Sequence, residues 1–219
     1  MAFCGKEAES VNIGILGGGN VGGALGAAWA KRGHRLLFGV RDPGSADMRE
    51  LLKTCGGQAS AGSPAEAAAF GGVVLNALPW PAANAVLSAL DLKGKILLDA
   101  SNPLLPDLSG LEIGTTTSAG EQVAEWAADA RVVKIFNTTG FGNMADPSYG
   151  GEPIPMFYCG DNRDAKNTAA ELAKAIGFAP VDSGPLSNAR VLEPLAYLWI
   201  WLANMGGVGR DFAFQIVKR

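Results

Sequence analysis

An apolar stretch from Val11 to Leu16 runs directly into Gly17-x-Gly19-x-x-Gly22, and a run of small residues from Ala24 to Ala30 follows. Strand, glycine turn and helix in this order form the opening βαβ unit of a dinucleotide-binding fold. Gly17 permits the tight turn, Gly19 lets the backbone approach a pyrophosphate, and Gly22 lets the helix pack closely on the strand. Asn20 and Val21 complete the turn, and the helix start offers unpaired N–H groups and the positive end of its dipole to phosphates. A glycine triplet alone would carry little weight. The strand before it and the helix after it give it meaning.

The second strand, His34 to Val40, predicts which dinucleotide. Its end should lie beside the adenine ribose, where an NAD site places Asp or Glu about 20 residues beyond the glycines. Here Arg41 stands at the strand end and Asp42 follows. A guanidinium suits a 2′-phosphate, which it can pair through two parallel hydrogen bonds. Asp42-Pro43-Gly44 reads as turn chemistry that starts the next helix. The competing reading leaves Arg41 solvated and lets Asp42 reach back to the ribose. The geometry favours NADP(H).

Composition narrows the partners. The 219 residues carry a net charge of −3, with Lys and Arg scattered, which argues against nucleic acid. The most apolar run, Leu195 to Ala203, is too short to span a bilayer, and Met1 to Ser10 contains no apolar signal core. Cys4, Cys55 and Cys159 lie far apart and read as reduced thiols, neither a disulfide frame nor a zinc site. The expectation is a cytoplasmic protein without metal or membrane.

Along the chain, Ala46–Cys55 predicts a helix and Gly57–Ala61 a short strand. Ser63-Pro64-Ala65-Glu66 is a capping box with proline at the first helical position. Val73–Leu78 predicts a buried strand ending at Pro79-Trp80-Pro81, with a helix over Ala82–Leu90 and a strand over Lys95–Asp99. A second capping box, Ser118 to Glu121, opens a helix to Ala128, and Val132–Phe136 reads as a sixth strand. Phe141 to Gly151, rich in Gly, Asn, Asp and Pro, reads as a loop, either a lid or a surface connection. Beyond it come a strand (Pro155–Cys159), a helix (Ala165–Ile176), a strand (Phe178–Asp182) and an apolar helix (Leu192–Asn204). This alternation predicts an α/β doubly wound parallel sheet, a Rossmann fold, over residues 11–152. Residues 1–10 are expected to form a flexible extension, and 153–219 to add a small C-terminal extension of the sheet with a capping helix.

Ligands of open α/β sheets lie beyond the carboxyl ends of the strands. Those ends carry Leu78-Pro79-Trp80, Ser101-Asn102-Pro103 and Asn137-Thr138-Thr139-Gly140, mostly small, neutral and polar apart from the prolines and Trp80. His34, the single histidine, begins the second strand and reads as structural. Lys134 lies inside a strand just before Asn137, where a surface role is favoured over a catalytic lysine, and Arg190 and Glu193, three apart, are expected as a pair on a helix face. Trp199 and Trp201 cannot share a face, so one is expected on the sheet and the other in a dimer interface. The expected pocket holds and orients two partners and names no catalytic side chain, as direct hydride transfer between two cofactors requires.

Leu78-Pro79-Trp80, Phe136-Asn137-Thr138 and Asp182-Ser183-Gly184-Pro185-Leu186-Ser187-Asn188-Ala189-Arg190 with Leu192-Glu193 resemble the coenzyme F420-dependent NADP oxidoreductases. They also resemble the NADPH-binding domain of the STEAP metalloreductases. The resemblance runs from Val11 almost to the C-terminus and implies a single, often dimeric, Rossmann domain. It places the pyrophosphate and 2′-phosphate on Gly17, Gly19, Asn20, Val21, Gly22 and Arg41. Leu78, Pro79, Trp80, Ser101 and Asn102 would line the nicotinamide half, and Asn137, Thr138, Gly184, Pro185 and Leu186 would face the acceptor. The glycine loop is one residue shorter than in the archaeal enzymes, and Asn137-Thr138 stands where they carry a His-Thr pair; Phe136-Asn137-Thr138 is closer to the metalloreductase and bacterial branches. The implied activity is hydride transfer between NADP(H) and a soluble deazaflavin (coenzyme F420) or flavin. Reduction of a flavin or ferric chelate and non-catalytic NADPH sensing are the alternatives. An imine reductase resembling pyrroline-carboxylate reductase would need a longer helical C-terminal domain.

Overall fold

The computed structural model describes residues 10–219. Cys4 and all of the expected N-terminal extension except Ser10 lie outside the described residues; the Ser10 hydroxyl donates to Gly33 O at 2.8 Å. The chain alternates β1 (Asn12–Leu16), α1 (Asn20–Ala30), β2 (Arg35–Gly39), α2 (Ala46–Thr54), β3 (Ala59–Gly62), α3 (Pro64–Phe70), β4 (Val73–Asn76), α4 (Trp80–Leu87), β5 (Ile96–Asp99), α5 (Ala119–Trp126) and β6 (Arg131–Lys134). Then follow α6 (Phe141–Ala145), a two-strand hairpin β7 (Ser148–Tyr149) and β8 (Glu152–Pro153), β9 (Pro155–Gly160), α7 (Arg163–Ala175), β10 (Ala179–Asp182) and α8 (Ala189–Asn204).

Eight strands form one sheet in the order β10-β9-β6-β5-β4-β1-β2-β3. The reversal of strand order falls between β1 and β4, which opens the crevice where such sheets bind ligands. Strand alternation sends Ile13, Ile15, Val73, Leu75 and Leu98 to one face, under α1 and α7. Val74, Leu97 and Val132 go to the other, with Ala67, Ala83, Leu87 and Val123 of the helices above them. Burial on both faces explains why these strands read as near-continuous apolar runs. Local signals fix the helix starts: Ser63 and Glu66 form the reciprocal capping box of α3, and Asn162 Oδ1 accepts from Ala165 N at 2.9 Å at the start of α7.

Two expectations need correction. The sheet is mostly, not wholly, parallel: β9 runs antiparallel to β6, pairing Val133 with Gly160 and Lys134 with Cys159. A parallel return would need a crossover helix covering a sheet face. The segment between them instead folds as the five-residue α6, which packs on α1, and the β7–β8 hairpin. Phe141 to Gly151 is therefore a built element and not a loop. Its Asn143 is buried, donates to Phe212 O at 2.8 Å and accepts from the Tyr149 hydroxyl at 2.7 Å. The parallel relation resumes between β9 and β10 through α7.

His34 is buried, as a structural residue should be. Its Nδ1 accepts from Val11 N at 3.2 Å, and burial holds its pKa below the usual value, so the ring is neutral.

Candidate functional site

The carboxyl ends of β1, β2, β4, β5 and β6 line up along one edge of the sheet. The glycine loop leaves β1 with Gly17 at φ 103°, where a side chain would meet Ala77 O at 2.7 Å. A Cβ on Gly22 would lie 2.1 Å from Gly17 O, so the helix can start this close to the strand only without one. Gly19 differs: no protein atom lies within 4 Å of where its Cβ would be. It caps α1 with no side-chain hydrogen bond, and no acidic residue stands in the first turn. Open space, bare N–H groups and the positive helix end together fit a pyrophosphate.

Arg41 is exposed at the end of β2 and makes no ion pair among the described residues. Asp42 is committed elsewhere, because its Oδ1 accepts from Gly44 N at 3.0 Å in the expected turn. That leaves the guanidinium free to meet an anion.

At β4, β5 and β6 the strands end in Asn76, Asp99 and Lys134, all fully buried. Asp99 Oδ1 accepts from Asn76 Nδ2 (2.9 Å), Ser101 Oγ (2.7 Å) and Ser101 N (3.2 Å). The Lys134 ammonium donates to Asp99 Oδ2 (2.8 Å), the Ser101 carbonyl (2.6 Å) and Glu193 Oε1 (3.0 Å), which engages all three of its protons. Glu193 comes from α8 and accepts at both oxygens from the first turn of α5, from Ala119 N and Gly120 N at 2.9 Å each. Burial alone would lower the Lys134 pKa, but the charges of Asp99 and Glu193 and their hydrogen bonds outweigh it, and the net shift is upward. The lysine stays charged and has no proton to exchange with a ligand.

This network overturns two readings of the sequence. Lys134 is not at the surface: the apolar run around it places it inside β6, with its side chain aimed at two carboxylates. Arg190 and Glu193 do not pair on a helix face. Glu193 turns inward to Lys134, while Arg190 pairs in bidentate fashion with Glu121 of α5 (2.8 and 2.5 Å) and holds its carboxyl below the usual range. Glu121 therefore reaches the Ser118 hydroxyl (2.7 Å) and Arg190, and α5 lacks the full reciprocal box of α3.

The structure brings Leu78, Ser101, Asn102, Asn137 and Thr138 to the same edge. Leu78 N donates to Asn76 Oδ1 at 3.4 Å, which ties it to the network. Trp80 is half-buried, packs on Trp126 with ring centroids 5.0 Å apart and donates to Glu112 at 2.9 Å, while Pro79 is exposed beside it. Asn137 is buried and donates to Asn102 Oδ1 (3.2 Å) and to Leu192 O of α8 (3.3 Å), while Asn102 donates back to Asn137 O (3.0 Å). Its aim depends on Phe136, which has φ 64°, a costly conformation for a bulky residue, and is pinned between Trp29 and Phe178. Gly184, Pro185 and Leu186 are not brought to this edge. Because β9 and β10 run in reverse, Gly184 O accepts from Gly160 N at 3.1 Å, alongside Val133, and Leu186 is buried on the α5 face. From the C-terminal part it is α8, through Leu192 and Glu193, that reaches the site.

Residues 12–103 match the family of coenzyme F420-dependent NADP oxidoreductases. The F420-dependent NADP reductase of Methanothermobacter marburgensis is 31% identical over 205 residues, covering 87% of this chain and 91% of that protein. The chain belongs to this family. Its membership makes it an NADP-dependent oxidoreductase. A solved structure from Arthrobacter sp. FB24, described as an F420-dependent NADP reductase, superposes with a TM-score of 0.85 at 31% identity, over 95% of this chain and all of that one. Metalloreductase STEAP3 of Rattus norvegicus is 32% identical over 198 residues, which cover 88% of this chain but 38% of the metalloreductase. Among the described residues no helix is long and apolar enough to cross a membrane.

Proposed function

We propose that this protein passes a hydride between NADP(H) and a soluble deazaflavin of the coenzyme F420 type. The observation that carries this is chemical. The sheet edge that faces the crevice offers backbone N–H groups, amides and hydroxyls, while its lysine is locked in three bonds and the histidine is buried at the start of β2. A crevice with no proton to lend suits a reaction that moves hydride between two ring systems, where the cofactors supply the chemistry and the protein supplies orientation. In the forward direction NADPH and the oxidised acceptor, with one solvent proton, give NADP⁺ and the reduced acceptor.

In this reading Gly17, Gly19, Asn20, Val21 and Gly22 hold the pyrophosphate and Arg41 the 2′-phosphate. Leu78, Pro79, Trp80, Ser101 and Asn102 wall the nicotinamide, and Asn137 and Thr138 face the acceptor, with Asn137 fixing Asn102 against α8. The likeness to the metalloreductase supports a second acceptor class, a flavin or a ferric chelate. A cytoplasmic homodimer completes the proposal. Val191, Pro194, Leu198, Trp201 and Met205 are exposed along α8 at alternating spacings of three and four, the stripe that two copies of one helix can share. Trp199 turns inward and stacks on Phe212 with centroids 5.1 Å apart. Sedimentation of Leu198→Asp as a monomer, against a wild-type dimer, would support that interface; a monomeric wild type would remove it.

Arg41→Ala tests the cofactor assignment. The dissociation constant for NADPH should rise about tenfold or more while that for NADH stays within twofold, since a charge-assisted pair contributes roughly 1.5–3 kcal/mol. Equal losses for both would contradict it.

A further inference from the structure

The buried cluster beneath the crevice does not balance its charge. Asp99 and Glu193 each accept at both oxygens from N–H or O–H donors, so both are carboxylates, and Lys134 is the one cation they share. Two negative charges and one positive leave one net negative charge, with all three side chains at most 1% exposed. The start of α5 offsets part of it, about half a charge. The neighbouring groups supply no compensating positive charge: Glu121 and Arg190 cancel as a pair, burial pushes the Cys159 thiol up to about 12, so it is neutral, and the exposed Asp161, which also faces Cys159, is acidic.

We propose that this residual negative charge makes the crevice prefer the oxidised nicotinamide, a pyridinium cation, over the neutral dihydro ring. The inference rests on the reading above, in which Leu78, Ser101 and Asn102, all joined to this cluster or adjacent to it, wall the nicotinamide. Phosphates, riboses and adenine are common to both forms and cancel in a ratio of affinities. The ring charge alone distinguishes them, and a buried charge acts on it with little screening. A preference for the oxidised form makes the bound couple the stronger hydride donor, by about 30 mV for each tenfold in the ratio. Glu193 and Asp99 are thus positioning residues with an electrostatic duty, holding Ser101 and α5 in place while setting which redox state binds.

The test is the ratio of dissociation constants, Kd(NADP⁺)/Kd(NADPH), measured by calorimetry. In the wild type NADP⁺ should bind at least as tightly as NADPH. Glu193→Gln should raise the ratio about fivefold to tenfold, and Asp99→Asn, which removes the same charge, should act likewise if the first variant does not fold. Glu193→Asp keeps the charge and should leave the ratio within twofold of wild type, as should Glu171→Gln on the exposed face of α7. An unmoved ratio in the neutral variants, an equal shift in Glu193→Asp, or a wild type that binds NADP⁺ several-fold more weakly than NADPH would overturn the inference. A wild type that binds neither form would overturn the cofactor reading beneath it.

Discussion

Lys134→Met should cost about 3–5 kcal/mol of stability, because it leaves two buried carboxylates without their shared cation. For a chain of this size that is a fall in Tm on the order of 10 °C. The side chain is fully buried, and its removal also strips a donor from the Ser101 carbonyl. A lysine on the surface would behave otherwise, since most exposed substitutions stay within about 0.5 kcal/mol. Lys166→Met gives the internal comparison. Its ion pair with Asp182 is of similar length, 2.9 Å, but Asp182 is 48% exposed, so the loss should stay under about 1 kcal/mol. Thermal denaturation of the two variants side by side checks the account; similar losses would mean that the buried network is not what holds β5, β6, α5 and α8 together.

Gly19→Ala should leave folding intact and weaken NADPH binding by about tenfold to a hundredfold, the cost of forcing roughly 1–3 kcal/mol of overlap into a close-packed contact. Gly19 sits at φ −78°, which alanine adopts freely, and the added methyl meets no protein atom. What it does meet is the space assigned to the pyrophosphate. Gly22→Ala is the contrasting variant, since its Cβ would lie 2.1 Å from a backbone oxygen and the loop itself must move. The expected pattern is wild-type Tm with lost affinity for the first, and loss of both for the second. Full affinity in Gly19→Ala would mean that the pyrophosphate does not approach there.

Much of this was legible locally. The glycine loop, the Ser63–Glu66 box, the Asp42 turn and the strand ends that form the crevice all depend on residues within a few positions of one another. What escaped was the pairing of distant charges. Asp99 ends one apolar strand, Lys134 ends another and Glu193 interrupts an apolar helix; each looks like an isolated polar residue until the fold joins them. The signal was present, because a charge inside an otherwise buried run demands a partner, but the spacing within one element could not name it. Reading Arg190 with Glu193 followed the local rule of three, whereas the partner of each, Glu121 for Arg190 and Lys134 for Glu193, came from across the fold. The reversal of β9 was hidden for a related reason. Phe141 to Gly151 has a loop's composition, and only its packing on α1 and the C-terminal segment reveals the short helix that turns the chain back.

The most direct test of the central claim is oxidation of NADPH by the purified protein with coenzyme F420 as acceptor, beside a free flavin. The account predicts turnover with the deazaflavin, lowered in Arg41→Ala and in Gly19→Ala at NADPH concentrations that just saturate the wild type and recovered at higher NADPH. Tight NADPH binding with no transfer to the deazaflavin would contradict it, and turnover with flavin alone would move the protein's acceptor to the metalloreductase class.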